Sequence, residues 1–273
     1  MATGYLRKRS LNTPPKVQVL EDVDALARTG AGIIADLAAE VTAKSSRHFA
    51  IALAGGSTPR HLYEKLAAFA SVDWANWEVF WGDERWVAAD DRDSNARMAQ
   101  ESLLGNVGIP SDQIHPVPTH LASPEKAAES YAEELIRVLG PEPIFDLVLL
   151  GLGLDGHTAS LFPGAQALDE IGRSVVANSV PGLDTYRITF TFPTINQSRH
   201  VLFIVSGLEK APMVRRVLQP TDGDAPVPAA GVRPGQGALR WVLDRDAASQ
   251  LTPAATVSGW HSIPRNARRC PPN

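Results

Sequence analysis

Four short, mainly apolar runs, each closed by a glycine-containing turn, constrain this chain more than any other feature. They are Phe49 to Ala54 before Gly55-Gly56, Trp77 to Trp81 before Gly82, Phe145 to Leu150 before Gly151, and Val201 to Val205 before Ser206-Gly207. A strand with one wet face alternates apolar and polar residues. A run without alternation suits a strand buried on both faces, as in a parallel sheet. Parallel neighbours need crossover segments, and helix-period stretches fill the gaps. Asp22 to Ala43 carries a stripe of Leu26, Ile33, Ile34, Leu37 and Val41. Ser123 can cap a helix with Pro124 in its first turn and Gly140 as its stop. A further helix is predicted from Leu208 to Leu218, and a short strand and helix from Trp241 to Leu251. The pattern predicts one doubly wound α/β domain, a Rossmann-like, mostly parallel sheet with helices on both faces. It covers residues 17–252, between an N-terminal extension (1–16) and a loose C-terminal tail (253–273), with 219–237 as an irregular surface segment rich in Pro, Gly and Ala.

Composition closes off several function classes. With 44% apolar residues among 273, the chain can bury a large core. A net charge of −4 argues against a nucleic-acid-binding face over the whole domain. The single cysteine, Cys270, cannot form an internal disulfide. No apolar run approaches the roughly 20 residues that span a bilayer, so no membrane partner is expected. Arg7, Lys8 and Arg9 are not followed by an apolar stretch, as a secretory signal would require; the expectation is a cytoplasmic protein.

In open α/β sheets ligands sit beyond the carboxyl ends of the strands, where the four turns lie. Gly55 and Gly56 let the backbone turn tightly, Ser57 or Thr58 can cap the following helix, and Pro59 suits its first turn. Free amides at such a helix start favour phosphate; the alternative is a plain capped helix. The loop is neither a Walker motif nor a dinucleotide fingerprint, and it lacks the Gly-x-Ser-x-Gly elbow of a serine nucleophile. In the third turn His157 stands two residues after Asp155. An imidazole there can exchange protons near neutrality, with Asp155 fixing its tautomer; the alternative is a histidine that only ties the loop together. Arg60, Arg85 and Lys210 lie in or beside the same set of turns and supply a cationic rim, with the acids Asp83 and Glu84 among them, whereas Asp90 to Asp93 reads as a solvated charged turn. Arg187 opens an alternating strand from Tyr186 to Phe192 and is either a ligand contact or an edge charge. His115 and His120, flanking Pro116 and Pro118, have no further ligand at metal spacing, so no metal is expected. The Trp and Phe residues are scattered and read as core.

Taken together, Leu53 to Pro59, Trp81 to Arg85, Ser94-Asn95 and Gly153 to Pro163 resemble the 6-phosphogluconolactonase family, whose relatives are the glucosamine-6-phosphate deaminases and isomerases. The resemblance runs from about Val17 to about Leu251 and includes Phe190 to Asn196, Ser206 to Lys210 and Trp241 to Ala248. The deaminase type resembles Gly-His-Ile-Ala-Phe-Asn-Glu at the histidine loop. Gly156 to Phe162 reads Gly-His-Thr-Ala-Ser-Leu-Phe and lacks that Asn-Glu, which favours the lactonase. The resemblance implies cofactor-free hydrolysis of 6-phospho-D-glucono-1,5-lactone in the oxidative pentose phosphate route, by a monomer or weak homodimer. It implies His157 as general base with Asp155 as its orienter. Gly55, Gly56, Ser57, Thr58, Arg60, Asp83, Arg85, Arg187 and Lys210 would surround the substrate. A sugar-phosphate isomerase or deaminase, or a non-catalytic sugar-phosphate sensor, are the alternatives.

Overall fold

The computed structural model describes residues 14–180, 182 and 185–252; the tail at 253–273, and residues 1–13 of the extension, lie outside the described residues. A six-stranded sheet, parallel throughout, has the order β1-β9-β8-β5-β2-β3. Its strands are β1 (Lys16–Leu20), β2 (Phe49–Leu53), β3 (Trp77–Trp81), β5 (Leu147–Leu150), β8 (His200–Val205) and β9 (Ala238–Asp244). The four apolar runs are β2, β3, β5 and β8. Every residue of the interior strands β2 and β5 is buried, whereas β1, at the sheet edge, is mostly half-exposed. Continuous apolarity thus reflects cover on both faces.

Helix α1 (Val23–Lys44) is capped by Asp22, which accepts from Ala25 N at 2.7 Å, and its Leu26, Ile33, Ile34 and Leu37 are buried. It packs against α2 (Ser57–Ala67) and against β9. Helix α3 (Asn95–Ser102) follows the second turn. Helix α4 (Pro124–Leu139) has the cap, the first-turn proline and the terminal glycine that its sequence predicts. The helix after β8 begins as a 3₁₀ turn, Leu208–Lys210, and continues as α6 (Ala211–Leu218); α5 is the short Phe192–Asn196.

Three features depart from the sequence reading. A second sheet, antiparallel and three-stranded, joins β4 (Asp83–Arg85), β7 (Tyr186–Phe190) and β6 (Val175–Ser179) in the order β4-β7-β6. Asp83 to Arg85 is therefore a strand and not a turn. Gly82 is the transfer point: its N–H donates to Leu53 O at 2.9 Å, and its carbonyl accepts from Phe190 N at 2.9 Å. Residues 219–237 are irregular but not confined to the surface, because Val227, Ala229 and Val232 are buried around a 3₁₀ turn at Pro228–Gly231. After β9 the chain turns without forming a helix, and Asp244 accepts from Ala247 N at 2.8 Å.

Two buried tyrosines finish the strands that feed the site. The Tyr63 hydroxyl accepts from Ala54 N at 2.9 Å and donates to Ala54 O at 2.8 Å, just past β2. The Tyr131 hydroxyl accepts from Trp81 N at 2.7 Å and donates to Trp81 O at 3.2 Å at the end of β3. Both serve backbone groups that need partners in a dry interior. Burial pushes both phenols well above their usual range, so both stay protonated as donors.

Candidate functional site

The turns at the ends of β2, β3, β5 and β8 open onto one cavity of about 610 Å³. That size suits a small molecule. Its lining includes Gly55, Gly56, Ser57, Thr58, Asp83 and Arg85, and across from them Asp155, His157, Arg187 and Lys210. Of the residues expected to surround the substrate, only Arg60 is absent from that lining. Its guanidinium pairs with Glu101 at 3.2 Å on an exposed face of α2. Arg60 is in the first turn, one residue past Pro59, and that position points it away from the opening.

His157 sits in a loop that folds upon itself. Gly153 N donates to His157 O at 2.8 Å, Thr158 Oγ1 donates to Gly151 O at 2.9 Å, and Gly156 N donates to Gly153 O at 3.1 Å. A Cβ on Gly153 would lie 2.1 Å from His157 Nδ1, so only glycine leaves room for the ring. The buried 227–232 segment supports the loop from behind, with Ala229 N donating to Gly156 O at 2.9 Å. Phe162 packs against the imidazole at a centroid distance of 4.6 Å. Asp155 Oδ1 accepts from His157 N at 3.0 Å and lies 2.6 Å from Nδ1. Partial burial pushes the Asp155 carboxyl up, but the backbone N–H and ring of His157 outweigh it and hold the group below its usual range. An ionised Asp155 only accepts, so Nδ1 carries a proton, and in the neutral ring the Nε2 lone pair is left for a proton from the substrate side. That is the arrangement of a general base.

The cations come from separate elements. Arg85 and Arg187 stand opposite each other in the β4–β7 ladder. Like charges so placed repel, and burial followed by the neighbouring Arg85 lowers the pKa of Arg187. Such a pair is costly unless an anion sits between or above it. Arg85 is further held by donating to Asp93 O at 2.5 Å. Lys210 lies at the start of α6. The first turn adds the start of α2, whose N-cap is Gly56 at φ 109°, with Ser57 and Thr58 inside the helix. The sequence reading placed the cap at Ser57 or Thr58. Shifting it to glycine frees both hydroxyls: Thr58 Oγ1 is 2.7 Å from Ser206 Oγ of the β8 turn, and both line the cavity. The amides and dipole of that start favour an anion.

Three further residues, Ser160, Glu84 and Asn95, lie within the quoted motifs, but the sequence alone assigns them no role in the site. Ser160 Oγ donates to Asp83 Oδ2 at 2.6 Å, tying the histidine loop to β4. Glu84, 2% exposed, accepts from Arg85 N at 2.7 Å, Asn95 N and Ala96 N at 2.8 Å, and Ser94 Oγ at 3.2 Å. Burial raises its pKa, opposed by those backbone amides. Asn95 lines the cavity from the N-terminus of α3. Nothing in Asp83-Glu84-Arg85 itself marks the middle acid; the pairing of β4 with β7 alternates its side chain into the interior. His115, by contrast, is buried away from the cavity, 2.7 Å from Glu134 and 2.8 Å from Glu78, and stacks on Phe80. Among the described residues no group of three or more His, Cys, Asp or Glu is arranged to hold a metal.

A sequence model of the family described as glucosamine-6-phosphate isomerases/6-phosphogluconolactonase matches residues 21–241. The chain belongs to that family. It is 45% identical over 207 residues to a 6-phosphogluconolactonase of Synechocystis, covering 74% of this chain and 85% of that protein. It is 38% identical over 245 residues to a 6-phosphogluconolactonase of Mycobacterium tuberculosis, covering 86% of this chain and 98% of that protein. Among solved structures, the 6-phosphogluconolactonase of Trypanosoma cruzi superposes with a TM-score of 0.80 at 31% identity, over 90% of this chain and 99% of that one. A monomeric glucosamine-6-phosphate deaminase, at 22% identity and a TM-score of 0.72 over 86% of this chain and all of that one, shares the fold.

Proposed function

We propose that this chain hydrolyses 6-phospho-D-glucono-1,5-lactone to 6-phosphogluconate, the lactone-opening step of the oxidative pentose phosphate route. One observation carries the reading: the His157 imidazole, held through Nδ1 by Asp155, lines the same cavity as cations from three separate elements, Arg85 of β4, Arg187 of β7 and Lys210 at the start of α6. In the reaction His157 Nε2 takes a proton from water as the water oxygen bonds to the lactone carbonyl carbon. The carbonyl oxygen takes the negative charge. When the C–O bond of the ring breaks, the departing ring oxygen takes the proton back from Nε2, leaving a free acid and a hydroxyl. Asp155 holds the ring on Nδ1 and stabilises the imidazolium between the two transfers. The start of α2 with Lys210 seats the phosphate, and the Arg85–Arg187 pair faces the oxygen on which charge develops. No covalent intermediate is required, since a lactone is an activated ester and the nucleophile is water.

The isomerase or deaminase alternative loses ground at the histidine loop, where Leu161 and Phe162 stand in place of the Asn-Glu of that type. The experiment uses purified protein and three substrates: the phosphorylated lactone, its unphosphorylated counterpart, and glucosamine 6-phosphate. The reading predicts rapid hydrolysis of the first, far slower hydrolysis of the second, and no ammonia from the third. Ammonia release, or equal rates on both lactones, contradicts it. The setting we propose is the cytoplasm; no described helix is long and apolar enough to cross a membrane.

A further inference from the structure

The cavity is rich in donors. Arg85, Arg187, Lys210, the Ser57, Thr58 and Ser206 hydroxyls and the α2 amides all offer protons, which suits a phosphate. A sugar lactone also carries hydroxyls, which are donors themselves and need acceptors. The carboxylates Asp155 and Asp83 each already commit one oxygen, Asp155 Oδ1 to His157 and Asp83 Oδ2 to Ser160.

Asn95 is different. It is 2% exposed yet lines the cavity. Its Nδ2 donates to Asp83 O at 2.8 Å. A carbonyl oxygen only accepts, so this bond fixes which end of the carboxamide is nitrogen. The Oδ1 then lies over Gly55, where a Cβ would stand only 1.8 Å away. Among the described residues no donor reaches Oδ1. The backbone of Asn95 is as firmly set, because the Glu84 carboxylate takes its N–H and that of Ala96 at 2.8 Å. The result is an ordered acceptor whose orientation is fixed before any ligand arrives.

We propose that Asn95 Oδ1 accepts a hydrogen bond from a ring hydroxyl of the substrate and so determines which sugar lactone the site takes. The proposal rests on the lactonase reading and adds to it the residue that reads the sugar. Asn95→Ala removes the acceptor. Asn95→Ser, small and polar at the same helix start, serves in its place if the alanine variant does not fold.

The test measures kcat/KM for the parent 6-phospholactone and its 2-, 3- and 4-deoxy analogues, with wild type and variant. For one ring position the wild type should lose about tenfold on the deoxy analogue, the scale of one neutral hydrogen bond, and the variant should show no further loss there. A merely structural role would lower all four rates together and leave every deoxy penalty unchanged. That unchanged pattern, with an active wild type, overturns the assignment of Asn95 while leaving the lactonase reading intact. A wild type inactive on the parent lactone overturns the reading itself, and this proposal with it.

Discussion

Replacing Asp155 distinguishes a charge effect from a tautomer effect, and the geometry sets the expected size. In buried catalytic triads an Asp-to-Asn change reverses the imidazole tautomer and costs roughly 10⁴ in turnover. Here a single oxygen, Oδ1, faces both His157 N at 3.0 Å and His157 Nδ1 at 2.6 Å. An asparagine with its oxygen in that place keeps both hydrogen bonds and the tautomer and loses only the charge. A hydrogen bond to a charged partner is worth about 1.5–3 kcal/mol and a neutral one about 0.5–1.5 kcal/mol. The difference of about 1–2 kcal/mol corresponds to roughly 5–30-fold in rate. The Asp155 side chain is 48% exposed, so solvent screening holds the effect to the lower part of that range. Asp155→Ala loses the charge, the orientation and the loop bond together and should cost about 10²-fold or more. The assay is initial-rate lactone hydrolysis at neutral pH with spontaneous opening subtracted. An Asp155→Asn loss of 10³-fold or more, or one exceeding that of Asp155→Ala, refutes the reasoning.

Arg187→Ala should lower kcat and kcat/KM together by about 10–150-fold with KM little changed, the scale of a charge-assisted hydrogen bond to the developing oxyanion, whereas Arg60→Ala should change neither kcat nor KM by more than about twofold; steady-state kinetics on both decides. Gly55→Ala places a Cβ 1.8 Å from Asn95 Oδ1 and, by displacing that side chain, should lower kcat/KM by about tenfold or more while circular dichroism shows the fold retained. Tyr63→Phe leaves the Ala54 N–H and carbonyl unserved and should lower unfolding free energy by about 1–3 kcal/mol in urea titrations. Arg137, with burial opposing and His115 assisting, holds the Glu134 carboxyl down at about 2 in the folded protein. A depressed carboxylate stabilises the fold above its unfolded pKa and loses that contribution as pH falls through the folded value. The stability advantage of wild type over Glu134→Gln, read from urea midpoints, should therefore shrink from about pH 5 to about pH 2.

What the sequence disclosed follows from how local each signal is. Apolar runs report burial residue by residue, so β2, β3, β5 and β8 and the rule that ligands gather at their carboxyl ends were readable. The caps of α1 and α4 are set by side chains three residues from the amides they serve, and they too could be read. The second sheet could not be. Asp83 to Arg85 becomes a strand only because β7, about a hundred residues later, lies beside it, and no three-residue segment carries that pairing in its own pattern. The same pairing places Arg187, which spacing left as either an edge charge or a ligand contact, opposite Arg85 and in the cavity lining. Arg60 failed for the converse reason. Proximity in sequence to a phosphate-type turn does not fix helical phase, and the shift of the cap to Gly56 turned its side chain to Glu101. Asn95 was visible as part of a motif, but its role as a held acceptor depends on Glu84 and Gly55, which come from other elements.

The catalytic place of His157 is tested most directly by the turnover of His157→Ala on the phosphorylated lactone, with uncatalysed opening subtracted and folding checked by the thermal transition. The account predicts a fall in kcat of about 10²–10⁴-fold with KM little changed, because the phosphate seat is built from other residues. A kcat within about threefold of wild type would show that some other group takes the proton from water, and would contradict it.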